Sequence, residues 1–155
     1  MKLDIGSGTN PKGEGYTTVD PYQPDAEIKA PMWALPLPAE SVTAIYCSHA
    51  LEHVGWSQVA PTLAEWRRVL RPGGELVLRV PDLAWCVLHW LQDPHDVWRM
   101  AKIFGSQEHE GNVHRCGFEA EGWRRQLGEA GFSVVREAVL WTHEQQTLEF
   151  VCSRS

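Results

Sequence analysis

The sequence predicts an α/β domain built on a doubly wound, mostly parallel sheet with one antiparallel strand near its edge. Short apolar runs typical of buried strands alternate with longer segments of helical periodicity, and the chain closes on two strand-like segments joined by a polar turn. At 155 residues the chain has the length of one domain, so residues 1–155 are expected to form a single unit.

Four strands are predicted in the first third of the chain. Residues 3–5 are a short apolar run that leads into a tight glycine turn, and residues 15–20 are rich in β-branched side chains. Residues 26–28 are a weaker candidate within a proline-rich stretch. Residues 41–48 are the longest of these apolar segments.

The middle of the chain predicts a helix, a strand and a second helical segment. Apolar residues recur at helical spacing over residues 57–70, and the Pro-Gly-Gly turn at 72–74 ends this helix. Residues 76–80 form a near-continuous apolar run, which is typical of a strand buried on both faces. Residues 82–104 have a helical pattern that breaks at Asp93-Pro94.

The last third predicts a loop, a helix and two strands. Residues 105–117 are polar, and residues 120–130 have a helical pattern closed by Gly131. Residues 132–141 and 147–152 then follow as strands around a short polar turn, which accounts for the antiparallel strand near the edge.

Composition excludes several classes of protein. With 43% hydrophobic and 22% charged residues the chain is neither disordered nor fibrous, and no apolar run reaches the length that spans a bilayer. A net charge of -6 argues against a broad nucleic-acid interface, which would be basic. The N-terminal residues have no signal-peptide pattern, so we expect a cytoplasmic protein. Neither a membrane nor a nucleic acid is expected as its partner.

The cysteine and histidine spacings predict no metal site. The four cysteines are far apart, with no C-x-x-C pair, and the histidines form no H-x-x-x-H pair on a helix.

The predicted strand ends converge on one ligand site. Ligands of open α/β sheets bind beyond the carboxyl ends of the strands, which here are residues 6–8, Asp20, residues 48–49 and residues 81–82. Glycines allow a backbone to approach a ligand closely, and a carboxylate such as Asp20 can accept both hydroxyls of a vicinal diol. Taken alone, the glycines and the Asp20-Pro21 pair are also compatible with ordinary turns.

Four segments in order resemble the class I S-adenosylmethionine-dependent methyltransferases. The resemblance covers roughly residues 1 to 82, and residues 129–132 add a further match. The segments are Leu-Asp-Ile-Gly-Ser-Gly at 3–8, Asp20, the proline turn and strand through His49 and Glu52-His53 at 35–53, and the helix with Arg-Val-Leu-Arg-Pro-Gly-Gly at 65–76.

The resemblance implies a minimal Rossmann-like fold and S-adenosylmethionine as cofactor. It places four residues around the methionine part, Asp20 at the ribose, two residues beside adenine and two at the methyl-donor end. In that order these residues are Asp4, Gly6, Ser7 and Gly8, then Asp20, then Met32 and Trp33, then Ser48 and His49.

Two departures from the family pattern indicate a short-form member. The third glycine is replaced by Asn10, and so few residues separate Gly8 from Asp20 that a loop at 10–15 must replace the usual helix. The family's adenine-contacting acid has no clean match, and for this reason the adenine contacts fall on Met32 and Trp33.

His53 and His114 are the candidate catalytic residues. Methyl transfer needs an aligned nucleophile, and a base only when that nucleophile must lose a proton. His114 begins an H-x-x-G-F element seen in this branch of the family, although a structural role for either histidine stays open. The acceptor expected is an oxygen, nitrogen or carbon atom of a small-molecule or glycan-like substrate.

Residues 83–118 are expected to cover the substrate. Trp85, Trp90 and Trp98 in this segment could line a pocket or a homodimer contact. Two other functions stay open: a non-catalytic protein that binds S-adenosylmethionine or a partner, and a nicotinamide-dependent oxidoreductase. The oxidoreductase is disfavoured because the G-x-G-x-x-G pattern is missing and Asp20 follows too soon.

Overall fold

A computed structural model describes all 155 residues. A single six-stranded sheet has the strand order β2-β1-β3-β4-β6-β5. The strands are β1 (Lys2–Ile5), β2 (Thr17–Val19), β3 (Val42–Ser48), β4 (Leu70–Pro81), β5 (Phe132–Thr142) and β6 (Gln145–Arg154).

The strand directions confirm the predicted fold class. β2, β1, β3 and β4 pair in parallel, and only β6, second from the edge, is antiparallel to both of its neighbours. The weak third strand is reduced to one isolated parallel bridge between Val19 and Ile28.

Four helices connect the strands. They are α1 (Val59–Val69), α2 (Leu83–Gln92), α3 (Val97–Phe104) and α4 (Ala120–Glu129). The helical segment after β4 breaks at Asp93-Pro94 as predicted, and Asp82 and Asp96 accept backbone N–H groups at the starts of α2 and α3. No helix has the length and apolar character needed to cross a membrane.

The hydrophobic core lies on one face of the sheet. Leu3, Ile45 and Leu76 stand in register on β1, β3 and β4 and are almost fully buried. Helices α1 and α4 pack over them with Trp66 and Trp123, both without exposed surface. Two of the eight tryptophans are therefore core residues.

The opposite face is polar, which corrects one expectation. β4 is buried on one face only: Leu76, Leu78 and Val80 are fully buried, whereas Val77 and Arg79 are partly exposed. On the same face, Glu149 of β6 is buried and accepts a hydrogen bond from Arg79 at 2.7 Å.

A loop covers part of this polar face in place of a helix. No helix connects β1 and β2, so the predicted loop at residues 10–15 is present. The backbone N–H of Lys12 donates to Asp4 Oδ2 at 2.7 Å, and its ammonium lies 4.3 Å from the centroid of the Tyr46 ring. These contacts hold the loop against the sheet.

Candidate active site

A cleft of about 650 Å³ opens at the carboxyl ends of β1, β2 and β3. Six of the predicted cofactor residues and one predicted catalytic residue line it: Gly6, Gly8, Asp20, Met32, Trp33, His49 and His53. Asp4, Ser7, Ser48 and His114 are not among its lining residues. Strand ends that are distant in sequence therefore meet as expected.

The turn after β1 can be made only by glycine. Gly6 has φ 69°, and a Cβ built on it would lie 2.2 Å from the Cβ of Ala50. Gly8 has φ 54°, but a Cβ there would have no neighbour within 4 Å. Gly6 thus allows two backbone segments to touch, whereas Gly8 leaves its backbone open to the cleft.

Asp20 connects the end of β2 to this turn. Its Oδ2 accepts the N–H of Gly8 at 3.0 Å, and its Oδ1 accepts those of Tyr22 and Gln23 at 2.8 and 3.1 Å. The side chain is 7% exposed and lines the cleft. Because each carboxylate oxygen has two lone pairs, the orientation is held by the backbone while acceptor capacity is left.

Asp4 lies on the polar face of the sheet. It alternates with Leu3 and Ile5, whose side chains enter the core, so its carboxylate points to the other side, toward Lys12. Burial raises the pKa of Asp4, although the Lys12 backbone hydrogen bond and charge partly offset this effect. Its observed contact is therefore with the loop that replaces the missing helix.

Helix α1 holds the wall that carries Met32 and Trp33. The indole Nε1 of Trp66 donates to the Met32 carbonyl at 2.9 Å, and Glu65 Oε1 accepts the N–H of Leu35 at 2.7 Å. Trp33 is 47% exposed at the mouth of the cleft. The irregular proline-rich segment is thus fixed by a helix that follows it in sequence.

Trp66→Phe is expected to lower the free energy of unfolding by about 2–3 kcal/mol, because the Met32 carbonyl loses its donor and a cavity opens where the fully buried indole was. Urea denaturation measures this loss. Trp98→Phe is the matched control, because Trp98 is 77% exposed, and it should change stability by less than about 0.5 kcal/mol. A similar loss in both variants would contradict the role of the hydrogen bond.

His49 occupies a strained position at the end of β3. Its φ of 52° is uncommon for a residue with a side chain. Its Nε2 lies 3.0 Å from Thr142 Oγ1 and 3.2 Å from Thr147 Oγ1, and its Nδ1 lies 3.5 Å from Glu52 Oε1. The ring therefore connects the β5–β6 hairpin to a buried carboxylate beside the cleft.

Glu52 is surrounded by three imidazoles. Its side chain is 2% exposed, and neither carboxylate oxygen has a hydrogen-bond partner. Burial acts to raise the pKa of Glu52, but His49, followed by His53 and His114, outweighs it and lowers that pKa. Burial also lowers the pKa of His114.

The sequence analysis named Glu52 beside His53 but gave it no role in the site, and the expected covering segment 83–118 stays a prediction. Of the residues in that segment, residues 109–112 and Arg115 line the cleft. Trp85, Trp90 and Trp98 do not line it, and the homodimer contact stays a prediction for them. The one available signal for Glu52 was its position directly before His53.

A family model described as methyltransferase domain matches residues 8–78. The match runs from the glycine turn into β4, and includes Asp20, the Met32–Trp33 wall and His49 to His53. Residues 8–78 therefore match a methyltransferase domain, and the chain has the fold of the class I methyltransferases. Its methyl donor is S-adenosylmethionine, so the expected enzyme class and cofactor are confirmed.

Solved structures share the fold of this methyltransferase. One is an S-adenosylmethionine-dependent methyltransferase from Methanosarcina mazei, 19% identical, with a TM-score of 0.72 over 99% of this chain and 91% of that one. Another is the 1,6-didemethyltoxoflavin-N1-methyltransferase of Burkholderia thailandensis with its bound substrate and S-adenosylhomocysteine, 16% identical, with a TM-score of 0.71 over 99% and 70% of the two chains. No curated protein matches the sequence.

The cleft of the methyltransferase fits this donor. Asp20 retains acceptor capacity at Oδ2 for a ribose hydroxyl, and the open space beside Gly8 leaves its backbone accessible to a ligand. Met32 and Trp33 line the same cleft and offer apolar surface for adenine. When bound, S-adenosylmethionine supplies an electrophilic methyl group.

Proposed function

We propose that this methyltransferase methylates an oxygen, nitrogen or carbon nucleophile of a small-molecule or glycan-like acceptor. The observation that supports this proposal is the set of uncharged hydrogen-bonding side chains in the cleft, which includes Gln23, Gln58 and Asn112. These side chains favour a hydrophilic acceptor, since its hydrogen-bonding groups find partners there.

The size of the cleft supports a small acceptor. Its volume of about 650 Å³ falls within the roughly 300–1,000 Å³ usual for ligand pockets. The net charge of -6 does not favour a nucleic-acid substrate. Exposed Arg115 lines the cleft and is paired with Glu110 at 3.3 Å, so the two offer both a donor and an acceptor to a hydroxyl-bearing acceptor molecule.

Different parts of the cleft serve the donor and the acceptor in this proposal. Gly6, Gly8, Asp20, Met32 and Trp33 hold the donor, and His49 lies at its methyl end. His53 lines the same cleft and activates the acceptor there, and His114 lies against His53, with the two ring centroids 5.1 Å apart. Asp4, Ser7 and Ser48 do not line the cleft, and in this proposal they act on the donor through the backbone at the ends of β1 and β3.

Transfer of labelled methyl groups tests this function. The full chain would be incubated with methyl-labelled S-adenosylmethionine and, separately, with pools of hydrophilic metabolites and glycans, of protein and of RNA. We expect label in the metabolite or glycan pool and none with Asp20→Ala. Label found only in protein or RNA would refute the acceptor class, and cofactor binding without label in any pool would favour the non-catalytic alternative.

A further inference from the structure

We infer that Glu52, His53 and His114 form a binding site for one divalent transition-metal ion. One ligand atom from each residue lies within 4.8 Å of those of the other two. Two imidazoles and one carboxylate bind zinc and non-haem iron in catalytic sites, where further coordination positions stay open to a ligand.

The unused hydrogen-bonding capacity of the Glu52 carboxylate is an independent observation that favours a bound cation. A buried carboxylate normally accepts several hydrogen bonds, because it loses its hydration on burial. Glu52 accepts none at either oxygen, and His49 at 3.5 Å is its only ion-pair partner. A cation between Glu52 and the two imidazoles would use lone pairs that the protein leaves free.

The surrounding backbone orients both histidines. His53 Nδ1 lies 3.1 Å from the carbonyl of Val113, so with the proton on Nδ1 the ring donates there and its Nε2 keeps a free lone pair. The N–H groups of Arg115 and Cys116 donate to the Glu52 carbonyl at 2.8 and 3.2 Å. These bonds bring His114, which follows Val113 in the same loop, to Glu52 and His53.

The dimensions of the cluster are close to those of a coordination site. Zinc binds imidazole at about 2.0–2.1 Å in tetrahedral geometry, so two of its ligand atoms lie about 3.4 Å apart. The ligand atoms here lie within 4.8 Å of one another, and side-chain rotation brings them to that separation when the ion binds. Glu52 and His114 also line a cavity of about 10 Å³, close to the space that one water occupies.

The proposed metal site lies where an ion could contact the methyl acceptor. His53 lines the large cleft and Glu52 and His114 line the small cavity, so an ion between them lies where the two meet. The role of the ion in catalysis, unlike the site itself, rests on the proposed methyl transfer. In that reaction the ion would orient an acceptor that binds through oxygen, above all a vicinal diol.

Cobalt titration of the full chain tests the site without any methyl transfer. The protein would be stripped with a chelator and titrated with Co²⁺, followed by visible absorption and calorimetry, for the wild type, Glu52→Gln and His114→Ala. His95→Ala is the matched control, because His95 is exposed between α2 and α3. Melting curves and titration with S-adenosylhomocysteine establish that each variant is folded.

We expect one Co²⁺ per chain in the wild type and in His95→Ala. Glu52→Gln and His114→Ala should bind it at least about 100-fold more weakly, since loss of even an outer partner costs up to that factor. Absence of Co²⁺ binding by the wild type, or equal binding by Glu52→Gln, would overturn the site. S-adenosylhomocysteine binding is read separately, so failure of the metal site and failure of the proposed function are distinguishable.

Discussion

Asp20→Ala is expected to lower the affinity for S-adenosylhomocysteine by about 10- to 100-fold. Because the carboxylate already accepts three backbone N–H groups, it has one lone pair left, at Oδ2, for a ribose hydroxyl, and a hydrogen bond to a charged group contributes about 1.5–3 kcal/mol. The variant also loses the acceptor for the N–H of Gly8, which loosens the turn that faces the ligand. Isothermal titration calorimetry measures the change in affinity.

Two further variants separate ligand binding from folding. Asp20→Asn keeps the shape and one acceptor oxygen, so it should bind the ligand with intermediate affinity and melt close to the wild type. Asp25→Ala removes an exposed carboxylate from the same loop and should change neither property. Unchanged affinity in Asp20→Ala, with a normal melting curve, would refute the ribose contact.

Gly6→Ala is expected to destabilise the fold by about 2–5 kcal/mol. A left-handed backbone costs an alanine about 1–2 kcal/mol, and overpacking of a tight contact costs about 1–3 kcal/mol more. The overpacking is specific, because the new Cβ would meet the Cβ of Ala50 at 2.2 Å. Thermal denaturation should show a loss on the order of 10 °C.

The two glycines of the turn provide a matched comparison. Gly8→Ala has the same backbone strain but no steric clash, so it should melt above Gly6→Ala while its methyl group, placed in the cleft, weakens ligand binding. Gly6→Ala combined with Ala50→Gly removes the clash and should recover part of the lost stability. If the double variant is no more stable than Gly6→Ala alone, contact with Ala50 is not the cause.

Local sequence patterns were sufficient to predict most of the strands and helices and the meeting of the glycine turn with Asp20 in the cleft. Glycines after β1 and an aspartate after β2 predict a ligand site because parallel strands end at one edge of a sheet, and the structure places Gly6, Gly8 and Asp20 together there. The break between α2 and α3 at Asp93-Pro94 was also predicted from the local sequence, since proline cannot continue a helix.

The missed features depend on tertiary contacts. Glu52 and His114 meet because backbone hydrogen bonds tie a late loop to the end of β3, and no spacing in the sequence encodes that pairing. Asp4 is a different case. It alternates with Leu3 and Ile5, so its side chain points away from the core face, and its contact with the methionine part of the cofactor stays a prediction.

Calorimetric titration of the full chain with S-adenosylhomocysteine, with a nicotinamide dinucleotide as the comparison ligand, tests the central claim most directly. We expect saturable binding of S-adenosylhomocysteine at one site, a higher melting temperature in its presence and no response to the dinucleotide. Binding of the dinucleotide without binding of S-adenosylhomocysteine would contradict the assignment of this cleft to the methyl donor.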